Sequence, residues 1–426
     1  MGAWWTIRVT ISVGVLIAAG CSSGAAGPVP STASTTAVEP AERSVTVSGG
    51  QGSGSYRPGT TVHVWSSVST TTGVAQRWSG DEELLAEPDE WHTTFVMPDR
   101  DVSLVANSST QDLPLTVETT TGATSLPKTV RYHFPPDMRG VVLFSHGTGG
   151  SGRYIESTEA FPIALALVAD GYGVVSTEAE EVAAGDLNGD GKLRWDQRPV
   201  AGNVDLANVD GMFQDFEDRG LVPAGTPKFA LGMSAGGSFS HFLGAISATG
   251  VAPDFPQLRF AAVAGYCADA TAVVRRAGNV STTPSAWYMC GAEDNDEVSN
   301  TQARANEAAL RARGVPTDYA EHPPSPLYDE RFTRIDGVSA ATSAAMAGEL
   351  RAAGFVDPTG FIGLDGDAVA ARVVADPASF PTILSVPNAN EVRHQIKVMR
   401  AEHAMYADSA RRNIGFFERF NTNPPT

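Results

Sequence analysis

Lys228-Phe229-Ala230-Leu231-Gly232-Met233-Ser234-Ala235-Gly236-Gly237 is the stretch from which the fold is read. A short apolar run enters Gly-x-Ser-x-Gly and continues into Ser238-Phe239-Ser240-His241-Phe242-Leu243, which has helical spacing. A serine raised on so tight a strand-to-helix turn has a strained backbone and close neighbours, leaving room only for Gly or Ala on either side. Ser234 is therefore a candidate nucleophile. Taken alone, the pentapeptide also describes an ordinary Ser/Gly turn, so its weight depends on what surrounds it.

Upstream, Gly140–Phe144 is a second apolar run, and Ser145-His146-Gly147-Thr148-Gly149-Gly150 follows it directly. A glycine-rich loop at the carboxyl end of a strand lets backbone N–H groups point into a site, and a developing oxyanion needs at least two of them. Thr148 and Ala235 are the expected donors; His146 reads as an anchor of the loop. Further runs at Gly173–Ser176, Phe260–Tyr266, Ala286–Met289 and Thr317–Ala320 alternate with helical stretches such as Phe161–Val168 and Thr301–Arg313. Strands alternating with helices imply a parallel sheet covered on both faces. Leu115–Val117 and Thr129–His133 would add antiparallel edge strands.

The strand ending in His-Gly-Thr-Gly-Gly, followed by strand, Gly-x-Ser-x-Gly and helix, resembles the α/β-hydrolase fold across residues 111–426. The resemblance implies an α/β fold, mostly parallel sheet covered by helices, and a serine hydrolase whose nucleophile, acid and base come in the order Ser, Asp, His. Tyr288-Met289-Cys290-Gly291-Ala292-Glu293-Asp294 resembles the family's strand-Gly-x-x-Asp ending, which points to Asp294, with Asp296 as its rival. His403 in Ala401–Asp408, before the pattern Ala410–Phe417, looks like the family's histidine loop and terminal helix. His322 is the alternative base, although Pro323-Pro324 stiffen the chain behind it. On this reading residues 109–426 are the hydrolase domain, and about 325–393 are an insertion capping the site, with a helix over 344–353.

Asp186-Leu187-Asn188-Gly189-Asp190-Gly191-Lys192 has the first half of a calcium loop in Asp186, Asn188 and Asp190. Gln197 stands where the bidentate Glu is expected. Ca²⁺ completed by another segment and a plain Asx/Gly turn both remain open, and no cofactor is required by the expected chemistry.

The first residues set the compartment. Arg8 precedes the apolar stretch Val9–Ala19, too short to span a bilayer comfortably, and Ala18-Ala19-Gly20-Cys21 follows. Residues 1–21 resemble a bacterial lipoprotein signal, which implies lipidation of Cys21 and a membrane-anchored, exported protein; plain secretion is the alternative. Residues 22–43, rich in Ser, Thr, Ala, Gly and Pro, have the composition of a tether. A net charge of −18, from 48 acidic and 30 basic residues, argues against nucleic acid as a partner. Cys267 and Cys290 end neighbouring predicted strands, so a disulfide between them is expected in an oxidising compartment.

Residues 44–108 read as a separate all-β module: Val45–Val47, Thr61–Trp65 and Val102–Val105 alternate between Gly-rich turns. With Gly52–Tyr56, Pro58–Val62, Trp78–Asp81 and Thr94–Pro98 it resembles the divergent B-repeat of internalin-type surface proteins. That resemblance implies a stalk or adhesive spacer without chemistry of its own. The expected function is a carboxylic ester hydrolase, with a peptidase or amidase of the same fold, or a non-catalytic surface adhesin, as alternatives.

Overall fold

The computed structural model describes residues 41–423 apart from 69–70, 247–248, 250, 271–281 and 293–297. Its centre is one eight-stranded sheet: β1 (Thr116–Thr121), β2 (Pro127–His133), β3 (Gly140–Ser145), β4 (Tyr172–Ser176), β5 (Lys228–Met233), β6 (Phe260–Tyr266), β7 (Ser285–Cys290) and β8 (Thr317–His322). The spatial order is β1-β2-β4-β3-β5-β6-β7-β8. β1 and β2 form the antiparallel edge, β2 joins β4 antiparallel, and every pair from β4 to β8 is parallel. This is the α/β-hydrolase fold that the sequence resembles.

Alternation along the strands explains the layering. In β3, Val142 and Phe144 face a core shared with α1 (Ala160–Ala169) and the C-terminal helix, whereas Val141 and Leu143 face the other side. There α2 (Val204–Asp218) and α3 (Ala235–Ala245) supply Leu206, Phe213, Phe239 and Phe242. α4 (Asn300–Ala312) covers Trp287 and Met289 of β7. Strands buried at every position, as β3 is, can exist only with both faces covered.

Between β8 and the C-terminal helix the chain builds α5 (Ala340–Ala352), α6 (Gly366–Ala375), α7 (Pro381–Ser385) and α8 (Ala389–Met399), closing with α9 (Ala410–Glu418). The inserted helices have a core of their own, including Phe332, Met346, Leu350, Val369 and Ile396. The N-terminal module pairs Arg43–Ser48 with Val102–Val105 and Thr61–Ser66 with His92–Val96 around Val62, Val64, Trp78, Phe95 and Leu104. It is continuous with the rest, Ala41–Thr426 forming one compact unit.

Cys267 and Cys290 form a disulfide, as neighbouring strand ends allow, with Cα atoms 5.5 Å apart. Among the described residues no helix is long and apolar enough to cross a membrane.

Helix α3 approaches the sheet so closely that Gly236 has no room for a side chain: a Cβ there would fall on the carbonyl oxygens of Ser145 and His146. Elsewhere in a helix Gly→Ala gains about 1 kcal/mol. Here Gly236→Ala is expected to lose about 3 kcal/mol in urea unfolding through overpacking; a gain in stability would show that this contact is misplaced.

Candidate active site

β5 enters its turn in register with both neighbours, Gly232 opposite Ser145 of β3 and Met233 opposite Tyr266 of β6. Ser234 then donates its backbone N–H to Tyr266 O at 2.9 Å and turns at φ +56°, ψ −122°. For a residue with a Cβ that conformation costs on the order of 1–3 kcal/mol and persists only where the surroundings enforce it. The surroundings here are glycines. A Cβ on Gly232 would lie 2.6 Å from Ser145 O, and one on Gly237 would lie 2.7 Å from the Ala268 methyl group. Ser234 itself is half-buried at the carboxyl edge of the sheet.

The loop after β3 lies against this turn. A Cβ on Gly147 would be 3.5 Å from that of Ser234, so the bare backbone of the loop is what faces the serine. His146 is fully engaged in holding that loop: Nε2 accepts the Ala179 N–H at 3.1 Å, which places the proton on Nδ1, 2.7 Å from Gly147 O. Burial lowers its pKa. Trp195 Nε1 donates to His146 O at 2.9 Å, and its ring stacks on Phe239. Thr148 sits exposed at the tip of the loop, and Ala235 is the first residue of α3, where an N–H has no acceptor within the helix. Gln197 Nε2 donates to Ala235 O at 3.2 Å.

The segment ahead of Trp195 is the calcium-like loop. Asp186 accepts the N–H groups of Gly189, Asp190 and Gly191, Asn188 accepts that of Asp190, and Asp190 accepts that of Lys192. Asp190 also pairs with Arg194. Among the described residues no group of three or more His, Cys, Asp or Glu is arranged to hold a metal ion.

His403 is half-buried, and two hydrogen bonds and one packing contact fix the segment around it. Ala401, at φ +54°, accepts the Ala292 N–H at 3.0 Å. Ala404 O lies 3.2 and 3.6 Å from the sulfurs of Cys267 and Cys290. Tyr406 donates its hydroxyl to Met289 O at 3.1 Å. The His403 segment is thus hydrogen-bonded at the end of β7 and packed against the disulfide that links it to the end of β6, the two strands that follow β5 across the sheet. Ala292 leads directly into 293–297, so Asp294 and Asp296 lie outside the described residues, as does Cys21.

His322 occupies different surroundings. It is buried at the end of β8, with Nε2 3.0 Å from Val398 O and 3.8 Å from an Asp408 carboxylate oxygen, and its ring stacks on Tyr406 and meets His92 of the module. Close by is a cluster that sequence reasoning missed: Glu159, Arg331, Arg334 and Asp408, all essentially inaccessible to solvent. The one signal for it was a pair of arginines at 331 and 334 flanking Phe332 and Ile335, too apolar a setting for a surface turn. A cavity of about 470 Å³ opens nearby, between the module and the free edge of β8. Its guanidinium groups are already paired, Arg412 with Asp318 and Arg304 with Glu321, and it includes neither Ser234 nor His403.

No family model and no curated protein matches the chain. Among solved structures it is similar to the Pyrococcus furiosus esterase Pf2001 (12% identity, 49% of this chain and 82% of that one, TM-score 0.35). It is also similar to a dienelactone hydrolase from Anabaena variabilis (18% identity, 55% and 95%, TM-score 0.35). A third is Thermogutta terrifontis esterase 2 phosphoramylated by tabun (14% identity, 57% and 96%, TM-score 0.36).

Burial lowers the pKa of His322 from 6.5, outweighing the attraction of Asp408. The folded state keeps this imidazole neutral while the unfolded chain takes up a proton, so stability is complete above pH 6.5 and is lost as pH falls below it. His322→Gln keeps a donor for Val398 O without the titration. Its unfolding free energy should fall less steeply than the wild type's between pH 6.5 and 5; equal slopes would contradict the assignment.

Proposed function

We propose that this chain is a serine hydrolase that cleaves carboxylic esters through an acyl-enzyme on Ser234. The observation that carries the reading is the enforced φ of +56° at a half-buried serine, with the bare Gly147 backbone against it. Nothing in packing alone requires a serine at so strained a position.

In this mechanism Ser234 Oγ attacks the ester carbonyl while His403 accepts its proton. Asp294 orients the imidazole and stabilises its charged form. The Ala235 and Thr148 N–H groups take the oxyanion, the former aided by the positive end of α3. His403 returns the proton to the leaving alcohol, and water releases the acyl group by the reverse sequence. His403 is preferred to His322 because its segment is tied to β6 and β7 and half-open, whereas His322 is enclosed and spends Nε2 on Val398. We further propose export with a lipid on Cys21, supported by the run Val9–Ala19 and the tether behind it.

Ser234→Ala should lower kcat on short activated esters by about 10⁴-fold or more with the thermal transition unchanged, and His403→Gln should match it, because such residues act as a unit. Activity within tenfold of wild type in either variant would remove that residue from the mechanism, and turnover of peptide amides above esters would favour a peptidase.

For the anchor, metabolic labelling with a palmitate analogue should mark the wild-type protein, and Cys21→Ser should release it from membranes unlabelled. Unlabelled wild-type protein in the medium would leave secretion without an anchor.

A further inference from the structure

We propose that Arg334 is a positioning residue for the His403 segment, and that the N-terminal module, through Trp91, belongs to the same device. The inference rests on the assignment of Ser234 and His403 above.

Arg334 lies on the turn Arg331–Arg334 that opens the insertion, and its side chain is wholly buried. It donates to both Glu159 carboxylate oxygens at 3.1 and 2.9 Å and to Asp408 Oδ1 at 2.7 Å. Glu159, just before α1, also accepts the Ala407 N–H at 2.7 Å and Gln395 Nε2 at 2.6 Å. Ala407 and Asp408 follow His403 in the same segment. The backbone N–H of Trp91 in the module donates to Asp408 O at 3.2 Å, and its ring, the part that a Trp91→Leu change removes, lies 4.6 Å from the Arg334 guanidinium. One cation therefore spans the insertion, the sheet's helical cover, the histidine segment and the module.

Stability is a poor reason for such a cluster. Buried ion pairs are often no better than apolar residues of the same volume, because desolvation offsets their attraction. Burial alone would raise the Asp408 carboxyl; Arg334, His322 and Arg331 together hold it well below the usual range. What a planar guanidinium adds is geometry: it fixes two carboxylates at a set angle, which a lysine of equal charge does not. Two consecutive residues of the segment bearing the base are held in this way, Asp408 by Arg334 directly and Ala407 through Glu159. On the other side of His403, Ala401 O accepts the Ala292 N–H just beyond β7. The base is thus clamped from both sides, and a displacement of about 1 Å at such a group can cost on the order of 10²-fold in rate.

Arg331 supplies the comparison. It is equally buried but 3.9 Å from Glu159, over the Trp65 ring. The full-length protein would be assayed as wild type, Arg334→Lys, Trp91→Leu and Arg331→Met, with kcat and KM on an activated ester and the rate of Ser234 phosphonylation by a fluorophosphonate. Arg334→Lys and Trp91→Leu are expected to lose about tenfold or more in kcat and in phosphonylation rate with KM within about twofold. Arg331→Met should lower the melting temperature and keep kcat within about twofold. A folded Arg334→Lys enzyme with wild-type kcat overturns the proposal, as does an equal kcat loss in Arg334→Lys and Arg331→Met. If Arg334→Lys does not fold, Trp91→Leu decides by the same criterion. A folded wild-type protein not phosphonylated at Ser234 overturns the hydrolase reading itself and this inference with it.

Discussion

Everything in the candidate site depends on a serine being forced into left-handed backbone geometry between glycines. β5 delivers Ser234 to the edge of the sheet, and the Ser234 N–H bond to Tyr266 O fixes where the strand stops. From there α3 must start so close to β3 that Gly236 tolerates no side chain. That closeness brings the backbone of Gly147 against the serine, next to the start of α3 at Ala235. The strain at Ser234, on the order of 1–3 kcal/mol, is small beside the apolar surface that β3, β5 and their covering helices remove from water, which is why the fold can hold it.

The module and the insertion change meaning once the packing is seen. The resemblance to a surface repeat implied a spacer, yet Trp65, Trp91 and His92 of the module lie against Arg331, Arg334 and His322. The insertion likewise has its own core but sends Gln395 and Arg334 to Glu159. Because those contacts end on the segment that carries His403, elements distant from Ser234 in sequence bear on the geometry of its proposed base.

Local chemistry made much of this legible in the sequence. Gly-x-Ser-x-Gly is legible because close backbone approach at Gly232 and Gly236 excludes a side chain, and His-Gly-Thr-Gly-Gly because its loop needs the positive φ of Gly149 and a Gly150 that clears the His146 ring. The sheet is legible because strands buried on both faces are apolar throughout, and the Cys267–Cys290 pairing because both cysteines end adjacent strands. The buried cluster was not legible. Glu159 and Asp408 are far apart in the chain, and their partner Arg334 lies in a helical insertion whose docking no local pattern encodes. Nor could spacing alone separate His322 from His403; the proposed preference for His403 rests on the burial of His322 and its hydrogen bond to Val398, both tertiary facts. Asp294 remains a reading of the strand ending, since residues 293–297 lie outside those described.

The measurement that bears most directly on the central assignment is rapid quenching of the protein with an activated ester, followed by peptide mapping by mass spectrometry. The account predicts a transient acyl group on the peptide containing Ser234, appearing within one turnover and disappearing as product accumulates. Turnover without an acylated peptide, or with the acyl group on a residue other than Ser234, would contradict it.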